Sequence, residues 1–202
     1  MHINLVVHKI KFMYYKLKSL FWYRFFFKSF GEDSVILHPL LLRNSHKISL
    51  GKGIFIRDGV RLEVVNNGQI FIGDFCSIEQ NFHIVSSGLV TIGNNVVISF
   101  GGMITDAEHG YEYININILK QGDIVKETKI GDFCFIGAGA KIQAGTVLGK
   151  QCIVGANSVV RGIFPDYCVI VGAPARIVKR YNFQKGKWLK TDHNGGFIDE
   201  VE

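Results

Sequence analysis

The sequence predicts an all-β protein, a solenoid of short strands with an N-terminal helical segment and a long loop insertion. Three observations lead to this prediction. Branched aliphatic residues recur every six positions through most of the chain. Glycine often follows the aliphatic residue directly. The series is interrupted by one large insertion, residues 105–129. A period of six matches neither a helix nor a simple alternating strand, but it does match a short strand and a turn that repeat.

Residues 1–30 form a basic, aromatic segment that we expect to be helical. It holds six of the 23 lysines and arginines and no acidic residue, which leaves 17 basic and 17 acidic residues in the rest of the chain. It also holds ten of the 25 aromatic residues. This composition favours a helix lying on a membrane surface. The alternative is a helix whose aromatic side packs on the domain or on a sister subunit.

The composition of residues 1–30 argues against three other interpretations: a membrane-spanning helix, a cleaved signal peptide and a nucleic-acid-binding protein. Basic residues interrupt every apolar run before the ~20 residues that a membrane-spanning helix needs, and no small-residue cleavage site follows. Because the excess positive charge lies entirely in residues 1–30, the body of the protein is electrically balanced. A nucleic-acid-binding surface is therefore not expected.

The repeat defines the main domain, which we place at residues 31–178. Its aliphatic positions are predicted to point inward and to stack from coil to coil, and three six-residue units would close one triangular coil. The following glycine is expected at a corner, where it would tolerate unusual backbone angles. The inward aliphatic positions are Leu50, Ile56, Leu62, Ile72, Ile78, Ile84, Ile92, Ile98, Ile104, Ile130, Ile136, Ile142, Leu148, Val154 and Val160.

Residues 179–202 are expected to form a C-terminal cap and a loose polar tail. The cysteines are predicted to be buried, reduced thiols, because none forms a C-x-x-C pair or lies near histidines at metal-ligand spacing. Three of them, Cys76, Cys134 and Cys152, fall at the small inward position of the repeat. No metal site is expected, because His83 and His109 have no third histidine at a suitable spacing.

The insertion 105–129 contains the densest cluster of titratable groups, at residues 106–113. Long loops in compact repeats are often functional. His109 suits general base catalysis because an imidazole titrates near neutral pH. Asp106 and Glu108 are the two local candidates for holding its other ring nitrogen.

The repeat, the insertion and the closing stretch together resemble the hexapeptide-repeat acyltransferases, in the branch of the maltose, galactoside, O-antigen and capsule O-acetyltransferases. The resemblance covers residues 50–181. The segments that carry it are 92–95 leading into Asp106-x-x-His109, then 130–138, 154–160 and 165–176 with Gly172-Ala173-Pro174. The resemblance implies a left-handed parallel β-helix, a homotrimer with sites between neighbours, and acetyl-CoA as co-substrate.

The resemblance also implies roles for single residues. His109 would be the base, with Asp106 weakly preferred over Glu108 as its partner. The amide of Ala138 would stabilise the oxyanion, and Ala156 would lie beside the pantetheine arm. Phe135 stands where the family usually has tryptophan, so contacts there are expected to differ. The basic candidates for the coenzyme A phosphates are Arg161, Arg176, Lys179 and Arg180. Asn81 is either an acceptor-binding residue or a corner asparagine.

The function that follows is O-acetylation of a sugar hydroxyl, in a surface polysaccharide or its lipid-linked precursor. The alternatives are an N-acyltransferase for an amino sugar, an acetyltransferase for a small molecule such as serine, and a non-catalytic binding protein. The expected location is the cytoplasm, with residues 1–30 bringing the enzyme to the inner membrane surface if the membrane interpretation of that segment holds.

Overall fold

The protein is a parallel β-solenoid with one N-terminal α-helix, as seen in a computed structural model that describes residues 2–192 and 195–198, with side chains from residue 9 onward. Helix α1 covers His2–Phe21. Three short 3-10 helices cover Tyr23–Phe25, Ser45–Lys47 and Ile118–Lys120. The predicted fold class is therefore confirmed.

Each coil of the solenoid contributes three short strands. The first four coils are β1 (Ser29–Phe30), β2 (Val35–Ile36), β3 (Leu41–Arg43); β4 (Ile48–Leu50), β5 (Phe55–Ile56), β6 (Arg61–Val64); β7 (Gln69–Ile72), β8 (Ser77–Ile78), β9 (His83–Ser86); and β10 (Leu89–Ile92), β11 (Val97–Ile98), β12 (Met103–Thr105). The insertion follows, with β13 (Ala107–His109) and β14 (Asp123–Val125).

The solenoid resumes directly after the insertion. The remaining coils are β15 (Thr128–Ile130), β16 (Phe135–Ile136), β17 (Lys141–Ile142); β18 (Val147–Leu148), β19 (Ile153–Val154), β20 (Val159–Val160); and β21 (Ile163–Phe164), β22 (Cys168–Gly172). The chain closes with a hairpin of β23 (Ala175–Asn182) and β24 (Lys187–Lys190), which pairs antiparallel with β22. Of the polar tail, residues 193–194 and 199–202 lie outside the described part.

Three parallel sheets form the walls of the prism. In the described residues, sheet 1 runs β1-β4-β7-β10-β15-β18-β21, sheet 2 runs from β2 to β22 and adds the closing hairpin, and sheet 3 runs β3-β6-β9-β12-β17-β20. We call the turn between sheets 1 and 2 corner 1 (such as residues 131–134), that between sheets 2 and 3 corner 2 (137–140), and that between sheets 3 and 1 corner 3 (143–146). The coil before the insertion pairs in register with the coil after it, with Ile92 opposite Ile130. The insertion therefore leaves the stacking unbroken.

The core is the column of inward aliphatic residues that the six-residue period predicted. Ile56, Ile84 and Ile136 are fully buried, and the other predicted inward positions are at most 3% exposed. All four cysteines are buried and reduced. Burying such a side chain stabilises the fold by about 1.5–3 kcal/mol, so the repeated column accounts for the cohesion of neighbouring coils.

The glycine that follows the aliphatic residue has a different role from the predicted one. Gly131 does not have a positive φ, but a Cβ placed on it would lie 2.5 Å from the carbonyl oxygen of Gly149 in the next coil. The left-handed conformation occurs two residues later, at Phe133, with φ of 60°. Glycine is therefore needed because coils approach closely, not because the backbone angle demands it.

Helix α1 covers the open edge of the first coil. Ser19 is fully buried, and its hydroxyl accepts a hydrogen bond from the Ile36 amide at 2.9 Å and donates one to the Ile36 carbonyl oxygen at 3.4 Å. Tyr15 is also buried and packs edge-on against His38. Because Ile36 lies on edge strand β2, these contacts block the unpaired backbone groups of that strand.

Candidate active site

The insertion folds as a hairpin that leaves the prism at corner 3. Strands β13 and β14 pair antiparallel, with Ala107 opposite Val125 and His109 opposite Asp123. The tip contains the 3-10 helix, whose first turn is capped by the side chain of Asn117. This pairing places Asp123 next to His109, the predicted base, although fourteen positions separate the two residues in the chain.

Asp123 is the partner of His109 in this structure. Its Oδ1 lies 2.8 Å from His109 Nδ1, and the two side chains are 30% and 63% exposed. A carboxylate that accepts the Nδ1 proton fixes the tautomer whose Nε2 carries a lone pair. The hairpin therefore presents a partly exposed imidazole with its basic nitrogen available for a substrate hydroxyl.

The expectation that Asp106 or Glu108 would hold His109 differs from the structure. Asp106 is fully buried and accepts hydrogen bonds from the Ser86 hydroxyl at 2.6 Å and from the amides of Ser87 and Gly88 at 2.7 and 2.9 Å. These groups belong to the preceding coil, so Asp106 anchors the start of the hairpin to corner 3. Asp106 is therefore committed to this corner, and the ring of His109 contacts Asp123.

Glu108 is engaged as well, because it forms an ion pair with Arg161. Arg161 follows β20 at corner 3, two coils beyond the start of the hairpin. This pair ties the hairpin to the side of the solenoid. It also places Arg161 beside the insertion hairpin, apart from the other basic candidates for the coenzyme A phosphates.

Ala138 and Ala156 stack at corner 2, in neighbouring coils. The Ala138 carbonyl oxygen accepts a hydrogen bond from the Asn157 amide at 2.8 Å. Among the described residues, the Ala138 amide has no hydrogen-bond partner. At the equivalent place in the first coil, the amide of His38 donates to the Asp58 side chain of the next coil at 3.2 Å. An alanine at position 156 has no acceptor to offer, so the Ala138 amide is left available to a bound oxyanion.

Phe135 lies on the outer face of sheet 2, close to corner 2. It is 40% exposed and pairs with Val97 on one side and Ile153 on the other. Its ring therefore forms part of an apolar wall three residues before Ala138. The predicted site residues Phe135, Ala138 and Ala156 are thus brought together.

Asn81 takes the geometry of a corner asparagine. Its φ is 56°, in the left-handed region, and its amide lies over Gly59 of the preceding coil, where a Cβ on that glycine would clash with it. Asparagine tolerates this conformation better than most residues. The side chain is exposed at corner 2, the same corner as Ala138.

The other basic candidates lie together on the closing hairpin. Arg176, Lys179 and Arg180 are all on β23, opposite Val171, Val169 and Cys168. Arg180 also lines an open cavity of about 800 Å³ with Tyr167, Tyr181 and Phe183. No residue of the insertion lines this cavity, so it is separate from His109.

His83 lies on the outer face of sheet 3, with its Nε2 2.9 Å from Glu63 Oε1. Burial lowers the pKa of His83 below its usual value, although the charge of Glu63 acts in the opposite direction. Within residues 2–192 and 195–198, no group of three or more histidine, cysteine or acidic residues is placed to hold a metal ion.

The thiols are unsuited to nucleophilic attack. Burial raises the pKa of Cys76 to about 11. The hydrogen bond with Cys134 raises that of Cys152 to about 12, and the same bond lowers the pKa of Cys134. All three thiols are at most 2% exposed, which keeps a substrate away from each of them, Cys134 included.

Comparisons with known proteins point to one family. Residues 127–162 match the bacterial transferase hexapeptide model of six repeats. One relative is an Escherichia coli (strain K12) protein named as a lipopolysaccharide biosynthesis O-acetyl transferase, WbbJ. The two sequences are 33% identical over 164 residues, and the match covers 77% of this chain and 83% of the relative.

Two solved structures show the same fold. The first is the N-acyltransferase AntD from Bacillus cereus in complex with dTDP and 3-hydroxybutyryl-CoA, with a TM-score of 0.69 and 21% identity over 81% of this chain and 88% of that one. The second is a maltose O-acetyltransferase from Clostridium difficile 630, with a TM-score of 0.52 and 23% identity over 78% of this chain and 71% of that one.

Proposed function

The chain belongs to the bacterial hexapeptide-repeat acyltransferases, and we propose that it transfers an acetyl group from acetyl-CoA to a sugar hydroxyl with His109 as the general base. The observation that carries this proposal is the 2.8 Å contact between His109 Nδ1 and Asp123 Oδ1 in the insertion hairpin. It presents a basic nitrogen on a loop that the solenoid itself does not require.

Each part of the reaction has a group suited to it. His109 Nε2 takes the proton of the acceptor hydroxyl as its oxygen attacks the thioester carbonyl. The amide of Ala138, which is uncapped among the described residues, donates to the oxygen that becomes negative. As the tetrahedral intermediate collapses, the carbon–sulfur bond breaks and the imidazolium returns the proton to the departing thiolate. The new carbon–oxygen bond thus replaces the carbon–sulfur bond, and coenzyme A leaves as the free thiol.

The site is proposed to lie between subunits of a homotrimer. His109 projects from corner 3 and Ala138 lies at corner 2, so the width of sheet 3 separates them within one chain. A neighbouring subunit that packs its corner 2 against this hairpin would bring the base and the oxyanion donor together. Shared sites of this kind make activity depend on assembly.

The proposed acceptor is a glycan that is destined for the cell surface, or its lipid-linked precursor, because WbbJ is named for lipopolysaccharide biosynthesis. Acetyl-CoA is the co-substrate. We place the reaction in the cytoplasm, where thiols such as the free cysteines stay reduced, and at the inner membrane surface, where a lipid-linked acceptor would be found.

The test measures release of coenzyme A with a thiol reagent, in the presence of neutral sugars, amino sugars or serine. We expect turnover with a neutral sugar, and a new ester in that sugar by mass spectrometry. His109→Ala is the control for chemistry on the enzyme. Turnover with an amino sugar or serine alone would replace the proposal with N-acylation or small-molecule transfer, and no turnover with any acceptor would support a binding protein.

A further inference from the structure

Helix α1 has two apolar faces, and only one of them packs on the protein. The inner face carries Tyr15, Ser19 and, just beyond the helix, Tyr23, all of them buried against the first coil. The outer face carries a second apolar strip at helical spacing. Its members, with their exposed fractions, are Ile10 65%, Met13 55%, Tyr14 58%, Leu17 48%, Leu20 46% and Phe21 67%.

The outer strip continues past the end of the helix. Trp22, Phe25 and Phe26 are 60%, 80% and 47% exposed, and Trp22 packs against Phe26 with ring centroids 5.7 Å apart. Isolated exposed apolar residues are ordinary, whereas a contiguous strip of this size on a soluble surface marks an interaction site. The exposed apolar strip is therefore expected to bind a partner molecule or surface.

Basic residues border the strip on both sides. At 3.6 residues per turn, Lys9 and Lys16 lie along one edge and Lys11 and Lys18 along the other. Lys16 is paired with Asp33 at 2.8 Å, but the helix itself contributes no acidic residue to either edge. Lysines can keep their ammonium groups in water while their stems cover apolar surface.

The charge decides which occupant fits. A strip of this spacing could also join helices of neighbouring copies, but such contacts usually carry mixed charges at their edges. Apart from Asp33 beside Lys16, three copies would bring only lysines to those edges, and these like charges would repel one another. An anionic lipid surface offers apolar chains to the strip and negative headgroups to both rows of lysines. None of the helices in the described part is long and apolar enough to cross a membrane. Because its inner face packs on the first coil, the helix would present only its outer face to the lipid and lie along the surface.

We propose that the outer face of α1 is a lipid-binding surface that holds the first coil of the solenoid on an anionic membrane. The lipid-binding proposal rests on the proposed function in one respect only. A lipid-linked acceptor would lie at the membrane, which gives the enzyme a reason to bind there. The hairpin with His109 leaves the solenoid after the fourth coil, about 14 Å along the prism at the usual strand spacing. The acetylated hydroxyl would then belong to a sugar held away from the headgroups.

The test is co-sedimentation of the full chain with vesicles of phosphatidylcholine alone or of equal parts phosphatidylcholine and phosphatidylglycerol. We expect binding only to the second, weakened by salt. The triple variant Ile10→Gln/Leu17→Gln/Phe21→Gln should bind at least tenfold less tightly. The variant Lys11→Gln/Lys18→Gln should lose roughly 25-fold, from about fivefold per lysine. Ile163→Gln, which changes a side chain 80% exposed on sheet 1, is the matched control and should bind like the parent protein.

Two further measurements keep the result unambiguous. Thermal unfolding of the triple variant and of Ile163→Gln should match the parent protein, because each of their substituted side chains is solvent-exposed. Lys11→Gln/Lys18→Gln is compared with its own Tm, because Lys18 is half-buried with its ammonium 5.1 Å from the centre of the Tyr23 ring. Acetyl transfer to a water-soluble acceptor should also be unchanged, so that failure of lipid binding is distinct from failure of the proposed function. The proposal is overturned if the parent protein ignores anionic vesicles, if the triple variant binds as tightly as the parent, or if the triple variant instead loses its oligomeric state.

Discussion

The pairing of His109 with Asp123 predicts that Asp123→Asn and Asp106→Asn should have different effects. The first should lower activity, and the second should lower stability. His109→Ala should lower kcat at least ~100-fold, the usual contribution of a general base. Asp123→Asn keeps the shape of the side chain, but its amide N–H can donate a hydrogen bond to Nδ1, which favours the wrong tautomer. An exposed ion pair contributes at most about 1 kcal/mol, or about fivefold, whereas the same change in an enclosed Ser-His-Asp triad lowers kcat about 10⁴-fold. Since Asp123 is 30% exposed, we expect roughly tenfold.

Asp106→Asn should act on stability. The amide group cannot accept from all three donors, Ser86, Ser87 and Gly88, so at least one buried N–H loses its partner. We expect a loss of about 2–3 kcal/mol in the free energy of unfolding. For a chain of this size, this corresponds to a fall in Tm of roughly 4–12 °C.

The assays are steady-state kinetics and thermal unfolding on the same preparations. For Asp123→Asn, we expect a lower kcat, an unchanged KM for acetyl-CoA and an unchanged Tm, with partial recovery in Asp123→Glu. The double variant His109→Ala/Asp123→Asn should be no slower than His109→Ala alone, because the two residues act as one unit. The reasoning fails if Asp123→Asn keeps the parental kcat while Asp106→Asn loses kcat at an unchanged Tm.

Three other outcomes are expected. Incubation with acetyl-CoA alone should leave the protein mass unchanged, because Cys76 and Cys152 have raised pKa values and all the repeat thiols are buried; a 1:1 acetyl adduct would refute direct transfer. Light scattering should give a trimer, and a fully active monomer would contradict a shared site. Burial lowers the pKa of His83 in the folded state, so the unfolded chain binds its proton more readily below about pH 6.5. Stability should fall there, and His83→Gln should flatten this part of the pH profile; an unchanged profile would contradict it.

The solenoid could be predicted from the sequence because the main contribution to its stability, the burial of inward aliphatic residues, recurs every six residues. Fifteen inward aliphatic positions follow one period, and each is buried as expected. The reason for the neighbouring glycines could not be obtained in the same way. Gly131 is needed because the carbonyl oxygen of Gly149 lies where its side chain would be. That contact depends on the distance between coils, which the period alone does not reveal.

The site was predictable only where its residues lie in the repeat or close to His109 in the chain. Phe135, Ala138 and Ala156 follow from the repeat, and the structure brings them to one corner. Asp123 has no such signal, since it is fourteen residues from His109 and becomes its neighbour only through the antiparallel register of the hairpin. Arg161 shows the opposite case: it was grouped with the other basic residues by charge, but an ion pair places it beside the hairpin.

The spacing of Asp106 and His109 now has a mechanical explanation. Asp106 is locked to the preceding coil by three hydrogen bonds, and the next three residues form the strand that ends at His109. A strand advances about 3.3 Å per residue, so His109 stands about 10 Å from a fixed anchor. Glu108, in between, is held by Arg161 of a later coil. The Asp-x-x-His pattern therefore sets how far the imidazole projects from corner 3, whereas the proposed proton transfer would depend on Asp123 from the returning strand.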